Sequence, residues 1–155
     1  MGETLILGFA VVAVIGCVAP PVAHADNGVQ YVRTESGRVR CLVTANGQGT
    51  GTSGPDVICE ASGPSPENQG FTQSPLTNYG SHQHNAVTDA TGNFHFEEGG
   101  NIGGGGDPGG DLVLRYGQTY HAEGWTIQPS FDGTRFTNDL TGHGMFVSVD
   151  NTYSI

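Results

Sequence analysis

Val29-Gln-Tyr-Val-Arg-Thr-Glu-Ser-Gly-Arg-Val-Arg-Cys-Leu-Val-Thr44 is the stretch on which the fold class turns. On each side of Glu35-Ser-Gly37 the apolar residues recur mostly every second position, the period of a pleated strand whose successive side chains point to opposite faces. Gly37 in a short polar break is hairpin chemistry, so this stretch reads as two strands and the turn between them.

The same pattern continues outward. Asp56-Val-Ile-Cys-Glu60, Ala86-Val-Thr-Asp89, Asn93-Phe-His-Phe-Glu97 and Asp111-Leu-Val-Leu-Arg-Tyr116 are each of strand length. Thr119 to Ile127 reads as one strand, Thr134-Arg-Phe-Thr137 follows the Asp132-Gly133 turn, and Gly144 to Val149 closes the series. No stretch supports a three-turn amphipathic helix. The expected fold is all-β, a small antiparallel sandwich or barrel of about seven to nine short strands. Phe94, Phe96, Trp125, Ile127, Phe136 and Phe146 are its expected core. Two low-order stretches, 46–54 and 99–110, are dominated by glycine and small polar residues; they read as insertions that contribute nothing to a core.

The first 25 residues differ from the rest. Leu5 to Ala19 is apolar and uncharged, and Ala23-His-Ala25 precedes Asp26, so residues 1–25 read as a signal peptide cleaved between Ala25 and Asp26. The apolar run is shorter than a membrane span and is broken by Pro20-Pro21. Met1-Gly-Glu-Thr4 lacks the usual positive charge, which leaves room for an upstream start. Val14-Ile-Gly-Cys17 resembles a lipobox, so a membrane-anchored lipoprotein through Cys17 is the alternative to a secreted product. The remaining 26–155 are expected to form one secreted domain, with Cys41 and Cys59 as its disulfide, placed near the N-terminal edge of the fold. Closing a loop of about 18 residues stabilises a fold by roughly 3 kcal/mol in the chain-entropy account.

From Asp26 onward there are five Arg, no Lys and fourteen acidic residues, hence a net charge of −9. That acidity argues against nucleic acid or anionic lipid as a partner. Without lysine, Schiff-base and lysine general-base chemistry are excluded for the mature chain.

Three patterns invite chemistry. His82 and His84 stand two apart and could chelate from one side of a strand, though a zinc centre needs further donors. Asn101 to Asp111 mixes glycine and aspartate but lacks the repeated register of calcium-binding nonapeptides, and no Lys-Ser/Thr or helix follows it to make a phosphate loop. A hydrolase would need a nucleophile beside a base, yet there is no Gly-x-Ser-x-Gly elbow, so a catalytic site would have to join His143 or His121 to an acid and a nucleophile in space. No catalytic residues and no cofactor are expected. In Thr141-Gly-His-Gly144, Gly142 and Gly144 would allow positive φ or close backbone approach, with His143 anchoring a structural turn by hydrogen bonding.

Leu114-Arg-Tyr-Gly-Gln-Thr119, Gly124-Trp-Thr-Ile127, Gly133-Thr-Arg-Phe-Thr-Asn138 and Thr141-Gly-His-Gly-Met-Phe-Val-Ser148, together with Thr34-Glu-Ser-Gly-Arg-Val-Arg-Cys41, carry a resemblance. The chain resembles a family of small exported actinobacterial domains of unknown function, mycobacterial secreted proteins among them, marked by Ser-Gly-x-x-x-Cys and C-terminal Tyr-Gly and Gly-His-Gly motifs. Here Arg38-Val39 replaces Asn-Ile, and Phe136 stands where relatives often carry a cysteine, so the resemblance implies that their second disulfide is missing. It implies fold class and compartment, and no mechanism. The resulting expectation is a secreted, non-enzymatic interaction or structural protein of the cell envelope or extracellular space. Its partner is undefined, with an envelope or host protein as one option. A small-ligand or metal-binding domain using His82 and His84 is the alternative, and an extracytoplasmic hydrolase ranks behind both.

Overall fold

The computed structural model describes residues 28–47, 53–62, 70–99, 102 and 110–155. The signal peptide with its Ala25 to Asp26 junction, the Cys17 alternative and most of both glycine-rich stretches lie outside the described residues.

Eleven strands form among the described residues: β1 (Val29–Thr34), β2 (Val39–Thr44), β3 (Asp56–Ala61), β4 (Asn85–Asp89), β5 (Phe94–Glu97), β6 (Leu112–Leu114), β7 (Tyr120–Ala122), β8 (Trp125–Pro129), β9 (Thr134–Asn138), β10 (Gly144–Val147) and β11 (Tyr153–Ser154). They make two sheets, ordered β5-β4-β3-β2-β1-β6 and β11-β10-β9-β8-β7. Every pairing is antiparallel except β6 on β1, where Val32, Arg33 and Thr34 face Leu112, Val113 and Leu114 in parallel. The strand count exceeds the expected range for two reasons. Thr119 to Ile127 is a hairpin rather than one strand: Ala122 pairs directly with Trp125, leaving Glu123 and Gly124 as a two-residue turn. Both have positive φ, 52° and 82°, as a type I′ turn requires. Tyr153–Ser154 then adds a short edge strand to β10.

The two sheets share one core, which makes the fold a sandwich. Val32, Cys41, Val43, Val57, Cys59 and Ala86 from the first sheet meet Tyr120, Trp125, Ile127, Phe136, Met145 and Val147 from the second. The fully buried Trp125 is among its largest side chains. Phe71, outside any strand, is also fully buried and packs against Phe96 with ring centroids 5.8 Å apart.

Cys41 and Cys59 are disulfide-bonded, and they are register partners with Cα atoms 4.0 Å apart on neighbouring strands. The staple therefore sits mid-sheet and faces the core, rather than near the N-terminal edge of the fold, because both cysteines alternate onto the inner face with Val43 and Val57.

The outer face of the first sheet carries a second cluster: Leu42, Ile58, Val87 and Ile102, with Val29 and Tyr31 against it. Ile102 corrects the expectation that 99–110 adds nothing to a core. The chain must travel from β5 at one edge to β6 at the other, and a parallel strand needs such a crossover. On the way, Ile102 is buried against that outer face.

Arg40 fastens this crossover. Its Nε and Nη2 donate to the two carboxylate oxygens of Asp111 at 2.7 and 3.0 Å, and its Nη1 donates to the Ile102 carbonyl at 3.2 Å. The guanidinium also lies 4.7 Å from the Tyr31 ring centroid. The Asp111 side chain is 3% exposed and that of Arg40 is 23%. Removing one member of so enclosed a bidentate pair strands the other. Asp111→Ala is therefore expected to lower the unfolding free energy by about 3 kcal/mol, read from urea unfolding followed by circular dichroism.

Candidate functional site

Strand direction gathers three loops at one end of the sandwich. β1, β8 and β10 end there, so Glu35–Arg38, Ser130–Gly133 and Ser148–Asp150 lie side by side. Between them opens a cleft of about 270 Å³, near the small end of ligand pockets. Thr34 and Val39 from the first sheet, Thr134 and Val147 from the second and Val149 just beyond β10 are buried residues in its lining. Ser36, Arg38, Tyr116, Ser130, Phe131, Asp132, Gly133, Ser148 and Asp150 complete it.

Tyr116 is the contribution of the segment after β6, and its backbone is held on three sides. Glu35 accepts from the Tyr116 amide at 3.2 Å and from Arg115 Nη1 at 3.0 Å. The Tyr120 hydroxyl accepts from the Arg115 amide at 2.9 Å. The Gly117 amide donates to the Pro129 carbonyl at 3.0 Å, tying the segment to the second sheet. Tyr116 thereby meets Phe131, with centroids 5.6 Å apart and planes tilted by 59°. Phe131 is 88% exposed, an uncommon position for a large apolar ring.

The hydroxyls of the lining differ in what they have left to offer. Thr34 Oγ1 is engaged by the backbone of Val39, donating to its carbonyl at 3.1 Å and accepting from its amide at 3.2 Å. Ser130 Oγ donates to the Gly133 carbonyl at 2.9 Å, and Ser148 Oγ to the Asn151 carbonyl at 3.2 Å. Thr134 is 1% exposed, and its Oγ1 has no partner among the described residues. A buried hydroxyl without a hydrogen bond costs free energy that a ligand atom can recover. Arg38 and Asp150 face each other at 3.9 Å, both well exposed, which makes a weak pair. Nothing in the sequence distinguishes Thr134 from any other strand threonine; only strand order brings it to the cleft.

The residues singled out by sequence lie elsewhere. His82 sits in an isolated bridge with Leu76, and its Nδ1 is 2.9 Å from the Ser74 carbonyl; His84 falls just before β4. No group of three or more His, Cys, Asp or Glu suited to a metal occurs among the described residues, so no third donor joins this pair there. Gly142 adopts φ 77°, and a Cβ on Gly144 would lie 1.9 Å from the Phe136 carbonyl oxygen, so that glycine permits close strand approach. The turn is anchored by Asn138 rather than by the His143 side chain. Asn138 Oδ1 accepts from the amides of Leu140 and Thr141, and its Nδ2 donates to the Gly124 carbonyl. The His143 ring lies over Gly92, and Thr141 Oγ1 donates to the Ala90 carbonyl at 2.6 Å, so this turn ties the two sheets at the end opposite the cleft.

His121 does join a hydroxyl and an acid: its Nδ1 is 3.1 Å from Thr126 Oγ1, which donates to Asp139 at 2.6 Å. The order is wrong for a nucleophile, because the threonine proton goes to the carboxylate and the ring nitrogen is left to donate to the hydroxyl. These three residues do not line the cleft.

Bonding to the Tyr116 amide, then to Arg115, holds the Glu35 carboxyl below its ordinary pKa of 4.5. The folded-state value is depressed, so this link is intact at neutral pH and is lost as pH falls below 4.5 through the depressed value. In an NMR pH titration the Tyr116 amide is expected to shift together with the Glu35 carboxyl carbon, and Glu35→Gln is expected to abolish that acid-side transition.

Compared with known proteins, the chain matches no protein-family model, no curated protein and no solved structure.

Proposed function

We propose that the chain is an exported, non-enzymatic binding module whose contact surface is the cleft between the two sheets. The carrying observation is the combination of a solvent-exposed ring, Phe131, packed on the half-buried Tyr116, with the unpartnered buried hydroxyl of Thr134 in one lining. A stability-optimised fold would pair or replace that hydroxyl and cover that ring, and departures of this kind concentrate at functional sites. Export is supported by the apolar leader ending in Ala23-His-Ala25 and by the Cys41–Cys59 disulfide. The non-enzymatic character is supported by the cleft serines Ser130 and Ser148, whose hydroxyls donate to main-chain carbonyls rather than to a base.

The test is a small-fragment screen by NMR on the ¹⁵N-labelled domain starting at Asp26. Amide shifts are expected to concentrate on Ser36, Gly133, Ser148 and Asp150. Shifts scattered over the surface, or a hydrolytic activity removed by one cleft substitution, contradict the reading.

A further inference from the structure

We propose, resting on the cleft as a binding site, that its ligand is a neutral saccharide whose C–H face lies on the Phe131 and Tyr116 rings and whose hydroxyls meet Thr134, Ser130, Ser148 and Asp132.

The rings set the first requirement. At a 59° tilt and 5.6 Å they pack on one another, so they do not face each other across a gap as the walls of a cage for a cation would. Phe131 instead offers an open face. An aromatic face is electron-rich and attracts weakly positive C–H groups, which the flat side of a sugar ring presents in a row.

The polar groups set the second requirement. Ser130 and Ser148 spend their protons on the carbonyls of Gly133 and Asn151; Ser130 Oγ is left to accept from a ligand, and Ser148 Oγ, which already accepts from the Asn151 amide at 3.0 Å, keeps one lone pair for the same purpose. Asp132 and Asp150 are carboxylates in the same lining, and Arg38 supplies the guanidinium donors. Thr134 Oγ1 can take either role and has no partner to give up; it is shielded from solvent, so a rotation of the Thr134 side chain toward the cleft brings it to the ligand. A lining rich in acceptors, with one donor fork and one hydroxyl of either role, suits a molecule carrying many O–H groups.

Charge removes the competitors. An anion would meet two carboxylates and one arginine on a chain of formal charge −10. A cation would have to displace or tolerate the Arg38 guanidinium 3.9 Å from Asp150. A neutral polyhydroxyl ligand meets neither obstacle.

The experiment titrates the ¹⁵N-labelled domain with maltotriose, cellotriose, mannotriose and galactotriose, with choline and glucuronate in parallel. At least one neutral trisaccharide is expected to shift the Gly133 and Ser148 amides with a dissociation constant on the order of 1 mM. Phe131→Ala removes an exposed ring and is expected to leave unfolding unchanged while weakening that saccharide about tenfold, equivalent to about 1.4 kcal/mol. Thr134→Val is expected to weaken it as well, while the unfolding midpoint stays or rises, because the hydroxyl it removes has no partner in the fold. Cleft shifts from choline or glucuronate without any from the saccharides overturn the ligand class and leave the binding cleft standing. Failure of saccharides and fragments alike to move cleft amides overturns both. Saccharide shifts indifferent to Phe131→Ala place the sugar elsewhere and overturn the proposal.

Discussion

A single parallel strand governs this fold. β1 to β5 form a meander that leaves the chain at the far edge of the first sheet, and the chain returns to pair β6 with β1 before it begins the second sheet over the core. The return is secured where Arg40 grips Asp111 through two hydrogen bonds and the Ile102 carbonyl through a third. Pairing Leu112–Leu114 with β1 also fixes where the chain emerges: beside Glu35, with Tyr116 at the mouth of the sandwich. The cleft is thus a consequence of the crossover and not an independent feature.

The two ends of the sandwich have opposite characters. At one, Asn138, Thr141, the His143 ring and Gly92 close the sheets against each other through backbone and side-chain contacts. Nearby, the Asp89 carboxylate is pushed up by burial, yet hydrogen bonds from Thr91 and Asn93 outweigh this and hold its pKa below the ordinary value. At the other end the serines bond only locally, Thr134 bonds to nothing described, and Phe131 lies in solvent. A closed end and an open end on one rigid core is the arrangement from which sandwich domains present binding loops.

Alternation in Val29–Thr34 and Val39–Thr44 makes the first hairpin and the fold class legible in the sequence, and the pair of cysteines that follows the apolar leader, Cys41 and Cys59, makes the disulfide legible too. The Glu123-Gly124 turn is not, because glutamate is an unusual residue at positive φ and the flanking pattern continues through it unbroken. Ile102 is hidden by its neighbours, since a lone apolar residue among glycines has no period. The cleft was least legible of all. Its residues come from segments as distant as Thr34 and Asp150, and only the register and order of two sheets bring them together. The histidines are chemistry-bearing residues by type, but His82 Nδ1 is occupied by the Ser74 carbonyl and the His143 ring packs over Gly92.

A crystal structure of the domain grown with the tightest-binding neutral trisaccharide tests the account most directly. A sugar ring stacked on Phe131 and a ligand oxygen within hydrogen-bond distance of Thr134 Oγ1 are the expected result. Phe131 folded into an empty cleft, with Thr134 Oγ1 bonded to the protein and the sugar bound elsewhere, would contradict it.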